Sequence, residues 1–410
     1  MPTTVWTTGL VVTEHEISVP LDHSHPDRER IKVFAREVSD PEGRKRPFLV
    51  FFQGGPGMEA ARPTRHPTSP NWLDRALADF RVLMLDQRGT GRSTPAGSLT
   101  GMSAARQAEY LKHFRADSIV RDAEWIRREL GIDRWSILGQ SFGGFCAMTY
   151  LSIAPDGLRE AIITGGVPPV GRPVDDVYAA TYQRVLDRNR RYYKRYPADR
   201  KRARELRRIL DAEDVRLPSG DRLTGRRFRQ LGQLLGMSDG AEHLHYILEL
   251  PHDSPAFLHD VMNATAFSRN PLYAAIHEAC YADGGVTRWS AQRLLPADYD
   301  SPELLTGEHV YPWMFDDYQG LAPLREAAEI LAEYEWPRLY DEAALRNNEV
   351  PVAAAVYIND MYVERTFSEE TAQLVGSMRT WVTSEYEHNG LRANGEHVLG
   401  HLLDLARSRA

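Results

Sequence analysis

Residues 135–151 have the sequence WSILGQSFGGFCAMTYL, in which Ser141 stands in a Gly-x-Ser-x-Gly motif. The apolar run at 135–138 is typical of a short buried strand, and the residues from Phe145 onward predict a helix. A serine in such a turn, between a strand and a helix, is held in a strained conformation with its hydroxyl exposed. The motif alone occurs by chance, and a turn with an inert serine is the alternative. Its context nevertheless makes Ser141 our candidate nucleophile.

Further short apolar runs predict the rest of a sheet. They lie at 48–52, 81–85, 161–164, 352–357 and 380–383. A helical pattern at 118–130 precedes the run at 135–138, and strands that alternate with helices form mostly parallel sheets with right-handed crossovers. Together with the serine turn, this alternation predicts an α/β protein with the α/β-hydrolase fold. Alternating segments at 16–20 and 31–38 predict a hairpin that leads into the sheet.

The pattern changes once, in the middle of the chain. After two prolines at 168–169 it becomes largely helical, and strand-like runs return only near residue 352. A helical segment that leaves a sheet and returns to it is an insertion. We therefore predict three segments: a first part of the hydrolase core at 1–170, a helical cap at 171–340, and the C-terminal part of the core at 341–410.

The composition is that of an ordinary globular chain. It has 410 residues and a formal net charge of -7, whereas nucleic-acid-binding proteins usually carry an excess of Lys and Arg. Two cysteines are too few for a disulfide framework. The first residues have no signal-peptide pattern, and no apolar run reaches the ~20 residues that span a bilayer. We expect a soluble, cytoplasmic protein that binds neither nucleic acid nor membrane.

Residues 184–208 form a basic stretch with three interleaved tyrosines. One interpretation is a patch for nucleic acid or membrane. The other is a solvated helix face with the aromatic side chains turned to the core. We favour the second interpretation because acidic residues, among them Asp187, Asp199 and Glu205, lie in and around the stretch.

A serine hydroxyl needs a base, and the base needs an orienting acid. In this fold both follow the serine, in the order acid then histidine. Asp360 follows the run at 352–357 and is our candidate acid, with an ordinary loop aspartate as the alternative. His388 follows the last strand-like run and is our candidate base. Other histidines fit less well: His397 and His401 in a predicted terminal helix, and His277 and His309 in the cap.

The segment FFQGGPG at 51–57 also follows a predicted strand. Its glycines expose backbone N–H groups where this fold places one donor of the oxyanion hole, and the residue after the nucleophile supplies the other. We therefore expect the N–H groups of Gly55 and Phe142 to bind the oxyanion. A tight turn alone is the alternative, whereas a Walker loop is excluded because no Gly-Lys-Ser/Thr ending follows.

The segment DQRGTGRS at 86–93 carries an acid in the wrong place for a triad. Asp86 precedes Ser141 along the chain, which is opposite to the order in this fold. We interpret Asp86 and Arg88 as structural residues that brace the loops around the oxyanion hole.

Taken together, these motifs resemble the prolyl aminopeptidase (proline iminopeptidase) family. The resemblance rests on GGPG, DQRGTGRS and GQSFGG, which begin at residues 54, 86 and 139. It extends over nearly the whole chain in the larger subgroup of that family, through NPLY at 270–273, HEACY at 277–281 and YPWMF at 311–315. It implies release of N-terminal proline from short peptides, without metal or cofactor.

The resemblance also implies a role for the cap. Family members bind the free amine of the substrate with cap glutamates, and the matching positions here are Glu278 and Glu308, for which cap salt bridges are the alternative. Phe142, Trp313 and Phe315 are candidates for the apolar wall around the proline ring. The chain departs from the family at three positions: Gln53 replaces a histidine, Phe142 stands where smaller members often have tryptophan, and Glu387 replaces a glycine before His388. Two alternatives to the aminopeptidase are another esterase, amidase or acyltransferase on the same fold, and a binding protein without catalysis.

Overall fold

The computed structural model describes residues 3–97 and 99–408. Within them, nine strands form one sheet and two short strands form a separate hairpin. The strands are β1 Thr3–Thr7, β2 Leu10–Pro20, β3 Arg30–Ser39, β4 Phe48–Phe52, β5 Thr64–Arg65, β6 Thr68–Ser69, β7 Arg81–Asp86, β8 Trp135–Gln140, β9 Leu158–Thr164, β10 Val352–Tyr357 and β11 Met378–Thr383.

The order of strands in the large sheet is β1-β2-β3-β7-β4-β8-β9-β10-β11. Neighbours from β1 to β7 pair antiparallel, and those from β7 onward pair parallel. The predicted hairpin is β2 with β3, in which Glu16 lies opposite Phe34. The mostly parallel sheet confirms the predicted α/β-hydrolase fold. The parallel strands end at one edge, where the residues that follow them meet.

The central strands are apolar throughout because helices cover both faces of the sheet. Along β4, Phe48, Val50 and Phe52 pack into one core, whereas Leu49 and Phe51 pack into the other. Strand β10 alternates in the same way between the two cores. This double coverage explains why the sequence shows continuous apolar runs in place of strict alternation.

Seventeen α-helices occur in the part of the chain that the structure describes. They are α1 Leu73–Asp79, α2 Ala104–Leu111, α3 Ala116–Glu129, α4 Phe142–Ile153, α5 Val174–Arg195, α6 Pro197–Ala212, α7 Gly225–Arg229, α8 Gly240–Glu249, α9 Pro255–Ala264, α10 Pro271–Ile276, α11 Ser290–Arg293, α12 Met314–Asp317, α13 Arg325–Ala332, α14 Glu342–Arg346, α15 Arg365–Leu374, α16 Gly390–Ala393 and α17 Gly395–Ala406. No described helix is long and apolar enough to cross a membrane.

Helices α5 to α14 lie between β9 and β10 along the chain, and α5 to α13 fall in the span 171–340 for which the sequence predicts a cap. Several are single turns joined by 3-10 helices, such as Glu278–Tyr281. Cap and core share one apolar cluster, in which Phe145 from α4 meets Tyr281 from the cap at 5.5 Å between ring centroids. The cap therefore packs over the edge of the sheet at which the serine turn lies. The division of the chain at residues 170 and 340 stays a prediction.

The basic stretch forms the end of α5 and most of α6. Tyr192 and Tyr193 are buried, and Tyr196 is half-buried. Several of its arginines pair with carboxylates: Arg184 with Glu364, Arg188 with Glu387, Arg202 with Asp199, Arg204 with Glu303 and Arg207 with Asp211. This arrangement matches the interpretation as a helix face with its aromatic side chains in the core.

Candidate active site

Ser141 lies between β8 and α4, with backbone angles of φ 55° and ψ −124°. A positive φ is rare for a residue with a side chain and is a strained conformation. It turns the chain sharply from strand to helix, so that the hydroxyl stands at the carboxyl edge of the sheet. The geometry is that of the nucleophile turn predicted from the sequence.

The glycines around Ser141 are required by close backbone contacts. A Cβ atom on Gly143 would lie 1.9 Å from the carbonyl oxygen of Phe52 in β4. A Cβ atom on Gly139 would lie 2.3 Å from the carbonyl oxygen of Gly143. Strand and helix therefore pass each other at a distance that excludes any side chain. The glycine pattern is a packing requirement of the turn.

Three side chains from separate parts of the sheet edge form one hydrogen-bond chain. The Oγ atom of Ser141 lies 2.9 Å from Nε2 of His388, and Nδ1 of His388 lies 2.7 Å from Oδ2 of Asp360. The other carboxylate oxygen of Asp360 accepts hydrogen bonds from the backbone N–H groups of Tyr362 and Val363. These bonds fix the acid, the acid orients the imidazole, and the imidazole can take the proton of the hydroxyl.

The electrostatic environment favours the protonated form of His388. Burial alone would lower the pKa of His388, but the adjacent Asp360 carboxylate and the negative charge of Glu308 outweigh it and raise the pKa above its ordinary value. A base of this kind accepts a proton readily while remaining held by its acid partner.

The rival histidines do not take part in the hydrogen-bond chain of Ser141, His388 and Asp360. His397 and His401 lie on α17 and pack against the ring of Trp381. Burial lowers the pKa of His277 and of His309 to about 3, so both imidazoles are neutral near pH 7. Each lies in the cap beside a hydroxyl group, that of Tyr178 for His277 and that of Thr181 for His309.

The loop after β4 is braced by the segment after β7, as the sequence predicts for Asp86. The buried carboxylate of Asp86 accepts hydrogen bonds from the backbone N–H groups of Ala60 and Arg92, at 3.2 and 2.9 Å. Burial raises the pKa of Asp86. The side-chain amide of Gln87 donates to the carbonyl oxygen of Gln53 at 2.9 Å. These bonds fix both ends of the glycine loop.

Arg88 has a structural role, as the sequence predicts, but it braces a different part of the chain. Its guanidinium is fully buried, pairs with Asp122 on α3 at 2.7 Å, and donates to the carbonyl oxygens of Pro20, Leu21 and His113. Arg88 therefore ties the end of β2 to α3, and it makes no contact with the oxyanion loop among its described hydrogen bonds. The five donors of a guanidinium suit a buried junction of this kind.

A narrow cavity opens beside Ser141, and we call it the acyl cavity. It is lined by Gly55, Pro56, Ser141, Phe142, Phe145, His277, Cys280, Tyr281, Glu308 and Val363. Both predicted oxyanion donors, Gly55 and Phe142, are among these residues. The remaining wall is largely apolar and aromatic. The cavity therefore suits a small apolar group that carries one positive charge next to Glu308.

The Glu308 carboxylate is held at the cavity by the hydroxyl of Tyr273, which donates to Oε1 at 2.7 Å. Burial raises the pKa of Glu308, while the positive charge of His388 and the Tyr273 hydrogen bond oppose that rise. A carboxylate in this setting gains charge stabilisation when a cation enters the cavity. Of the two predicted glutamates, Glu308 is the one that the structure places beside Ser141.

Glu278 and the two aromatic candidates have other partners. Oε1 of Glu278 accepts the backbone N–H of Ala291 at 2.9 Å, at the start of α11, and burial raises the pKa of Glu278 to about 7. Trp313 stacks on Tyr311, and Phe315 packs edge-on against Trp289. Glu278, Trp313 and Phe315 are not among the described residues that line the acyl cavity, because all three side chains pack within the cap.

Of the three predicted wall residues, Phe142 lines the acyl cavity, and the rest of the aromatic wall comes from residues that the sequence did not single out for it. Phe145 and Tyr281 contact each other across the boundary of core and cap, and Val363 follows Asp360 by three residues. Phe145 has the pattern of an ordinary buried helix residue. Tyr281 stands in HEACY, one of the motifs of the family resemblance, and that motif was the one available signal.

Comparison with known proteins agrees with the fold. The family model for the alpha/beta hydrolase fold matches residues 47–276. The chain is 48% identical to a proline iminopeptidase from Aeromonas sobria, over 97% of this chain and 97% of that protein. It is 34% identical to a proline iminopeptidase from Aspergillus aculeatus, over 97% of this chain and 94% of that protein. The chain therefore belongs to the proline iminopeptidase family of α/β hydrolases.

Proposed function

We propose that this protein is a serine aminopeptidase that releases N-terminal proline from short peptides. The observation that carries the proposal is the hydrogen-bond chain of Ser141, His388 and Asp360, which opens on a cavity that holds the carboxylate of Glu308. An aminopeptidase must bind a cationic amine within one residue of the scissile bond. A partly buried carboxylate beside the nucleophile meets that need.

In the first half of the reaction, the Oγ atom of Ser141 attacks the carbonyl carbon of the proline residue. Nε2 of His388 accepts the hydroxyl proton, and Asp360 stabilises the imidazolium that forms. The oxyanion accepts hydrogen bonds from the backbone N–H groups of Gly55 and Phe142, and each such donor contributes about 3 kcal/mol. The α4 helix begins at Phe142, and its positive end favours the same negative charge.

In the second half, Nε2 of His388 donates its proton to the amine of the leaving peptide, and the C–N bond breaks. Water then enters, gives a proton to His388 and attacks the acyl carbon. The ester bond to Ser141 breaks, the serine oxygen regains its proton from His388, and proline leaves. No further reactant is needed for the atoms to balance.

The acyl cavity explains the preference for proline. The ring of an N-terminal proline lies against Phe142, Phe145 and Tyr281, and its secondary ammonium faces Glu308. These aromatic side chains and Val363 line a narrow cavity beside Ser141. The cap above it restricts access and so favours short peptides over folded proteins.

We place this activity in the cytoplasm. Cys146 and Cys280 are free, buried thiols. Burial raises the pKa of both thiols, which keeps them protonated and unreactive. Free thiols of this kind suit a reducing compartment.

A panel of aminoacyl-naphthylamides tests the proposed function. We expect wild-type protein to release naphthylamine from the proline derivative with a much higher kcat/KM than from the alanine, leucine or lysine derivatives. Simple acyl esters serve as the comparison for a general esterase. Preference for esters, or for another amino acid, would contradict the proposal.

The pH dependence of nucleophile labelling gives a further prediction. A fluorophosphonate reacts with Ser141 only when His388 is neutral, and it has no amine of its own to titrate. Because the pKa of His388 is raised, we expect the labelling rate to fall on acidification with a midpoint above the ordinary value of about 6.5. A midpoint below that value would contradict the electrostatic account of the site. Mass spectrometry of the labelled peptide identifies the residue.

A further inference from the structure

A second cavity lies next to the catalytic histidine and plays no part in the acyl chemistry described above. It has a volume of about 670 Å³, far larger than the acyl cavity. The two cavities share no described lining residue, yet Ser141 lines the first and His388 lines the second. Their side chains are joined by the 2.9 Å hydrogen bond between Oγ and Nε2. Each cavity is therefore lined by one of two residues that are hydrogen-bonded to each other.

The reaction places the acyl part of the substrate in the acyl cavity and the leaving peptide on the side of the second cavity. The acyl group is bonded to Ser141 after the first step, so it occupies the cavity that Ser141 lines. The leaving amine takes its proton from His388, so the leaving peptide must lie beside His388. The second cavity is the space that adjoins His388 there, and two extended residues of about 7 Å fit within its volume.

The walls of the second cavity suit a peptide of varied sequence. Its floor is apolar and includes Trp72, which is buried, and the half-buried side chains of Met58 and Met237. Methionine side chains adapt to differently shaped partners. Gln53 and Gln140 add polar groups near the scissile bond. None of the described residues that line this cavity is acidic, so an anionic group at its far end meets no repulsion from its walls.

Arg392 supplies the complementary charge at the rim. Its side chain is 67% exposed, and its ion pair is with Asp239 at 3.5 Å, where Asp239 is itself 76% exposed. A pair this exposed contributes little stability and exchanges readily. The guanidinium can therefore bind a second carboxylate in a bidentate manner. A dipeptide or tripeptide substrate carries such a carboxylate at its C-terminus, within one or two residues of the scissile bond.

We infer that the second cavity binds the substrate residues that follow the scissile bond, and that Arg392 pairs with the free C-terminal carboxylate of di- and tripeptides. This inference rests on the proposed function and adds a determinant of substrate length to it. The enzyme would then be tuned to the short products of earlier endopeptidase or oligopeptidase cleavage, since only short peptides bring both termini to the site.

The test compares Pro-Leu and Pro-Leu-Leu with the same peptides amidated at the C-terminus. We expect wild-type protein to prefer the free acids. In Arg392→Ala, we expect kcat/KM for the free acids to fall about two- to fivefold, through KM, with the amides unchanged. Arg392→Glu should lower kcat/KM for the free acids further, and Arg392→Lys should retain most of it. Arg346→Ala is the matched control, because Arg346 is 62% exposed and pairs with Glu342 at 3.7 Å.

The outcomes separate this inference from the proposed function. Equal changes for free and amidated peptides in the Arg392 variants, or no change, would overturn the inference while proline release stood. Absence of proline release from every peptide by the wild-type protein would overturn both. Thermal unfolding midpoints of the Arg392 variants that match the wild type confirm that the fold is unchanged.

Discussion

Replacement of Ser141 by alanine is expected to lower kcat for proline release about a million-fold, to the residual rate that the binding groups alone support. The reason is that alanine removes the atom that forms the acyl bond, while Gly55, Phe142 and Glu308 stay in place. Turnover of proline naphthylamide and labelling by a fluorophosphonate, both followed with purified protein, measure the effect. Labelling should be lost in parallel with turnover.

The fold of Ser141→Ala should be unchanged, since serine already occupies the backbone conformation at φ 55° and alanine adds no atom. Equal thermal unfolding midpoints for variant and wild type check this. Ser301→Ala, at an exposed serine in the cap, is the matched control and should keep full activity. Persistent labelling of Ser141→Ala would show that another residue is the nucleophile, and an unlabelled wild type would favour a binding protein without catalysis.

The proposed acid and base, Asp360 and His388, should behave as one unit with Ser141. In Asp360→Asn the imidazole loses the partner that fixes its tautomer, and kcat should fall about ten-thousand-fold. The double variant Ser141→Ala with Asp360→Asn should be no slower than Ser141→Ala alone, because the orienting acid has no effect without a nucleophile. If the losses in kcat of the two single variants multiply in the double variant, the three side chains do not act as one reactive unit.

The convergence of the three proposed triad residues could be predicted from the sequence because each of them follows a strand. Parallel strands end at one edge of the sheet, so Ser141 after β8, Asp360 after β10 and His388 after β11 must converge there. The required chain order left few candidates for each role. The glycine loop after β4 was predictable for the same reason. The periodicity of apolar residues and the order of the strands along the chain are enough to predict which residues meet at this edge, and no knowledge of tertiary contacts is needed.

The cap contacts could not be predicted in this way. Around Glu278 and Glu308 its helices are short and joined by irregular segments, so no regular period relates the direction of one side chain to that of the next. Glu278 and Glu308 were equivalent candidates by spacing, but one bonds to the backbone of Ala291 and the other lines the acyl cavity. Trp313 and Phe315 were plausible by residue type alone, and packing within the cap decides their positions.

Glu308→Gln is expected to lower kcat/KM for proline substrates about 30- to 150-fold, mainly through KM. Glutamine has nearly the same shape and still accepts the Tyr273 hydrogen bond, so the substitution removes only the negative charge that binds the substrate ammonium. That loss corresponds to about 2–3 kcal/mol for a hydrogen bond to a charged group. The same change should move the acid midpoint of fluorophosphonate labelling to lower pH, because the Glu308 charge helps to raise the pKa of His388.

Glu278→Gln is the matched control within the same cap. Its carboxylate bonds to the N–H of Ala291, and its pKa of about 7 means that it is already partly neutral near pH 7. We expect kcat/KM within about twofold of wild type and an unchanged labelling midpoint. The reason is that a glutamine oxygen can accept the same hydrogen bond from Ala291, so the change in free energy is small. If kcat/KM falls as much in Glu278→Gln as in Glu308→Gln, or more, Glu278 binds the substrate amine although it does not line the acyl cavity.

An ester of N-acetylproline distinguishes amine binding from a general effect on the site. This substrate fills the acyl cavity with the same ring but carries no ammonium, so Glu308→Gln should leave its hydrolysis unchanged or accelerate it slightly. Removal of a buried charge that has no partner in the complex favours binding of a neutral group. Equal losses on the ester and on proline naphthylamide would mean that Glu308 acts only through His388, in which case the charge of the substrate amine would need another partner.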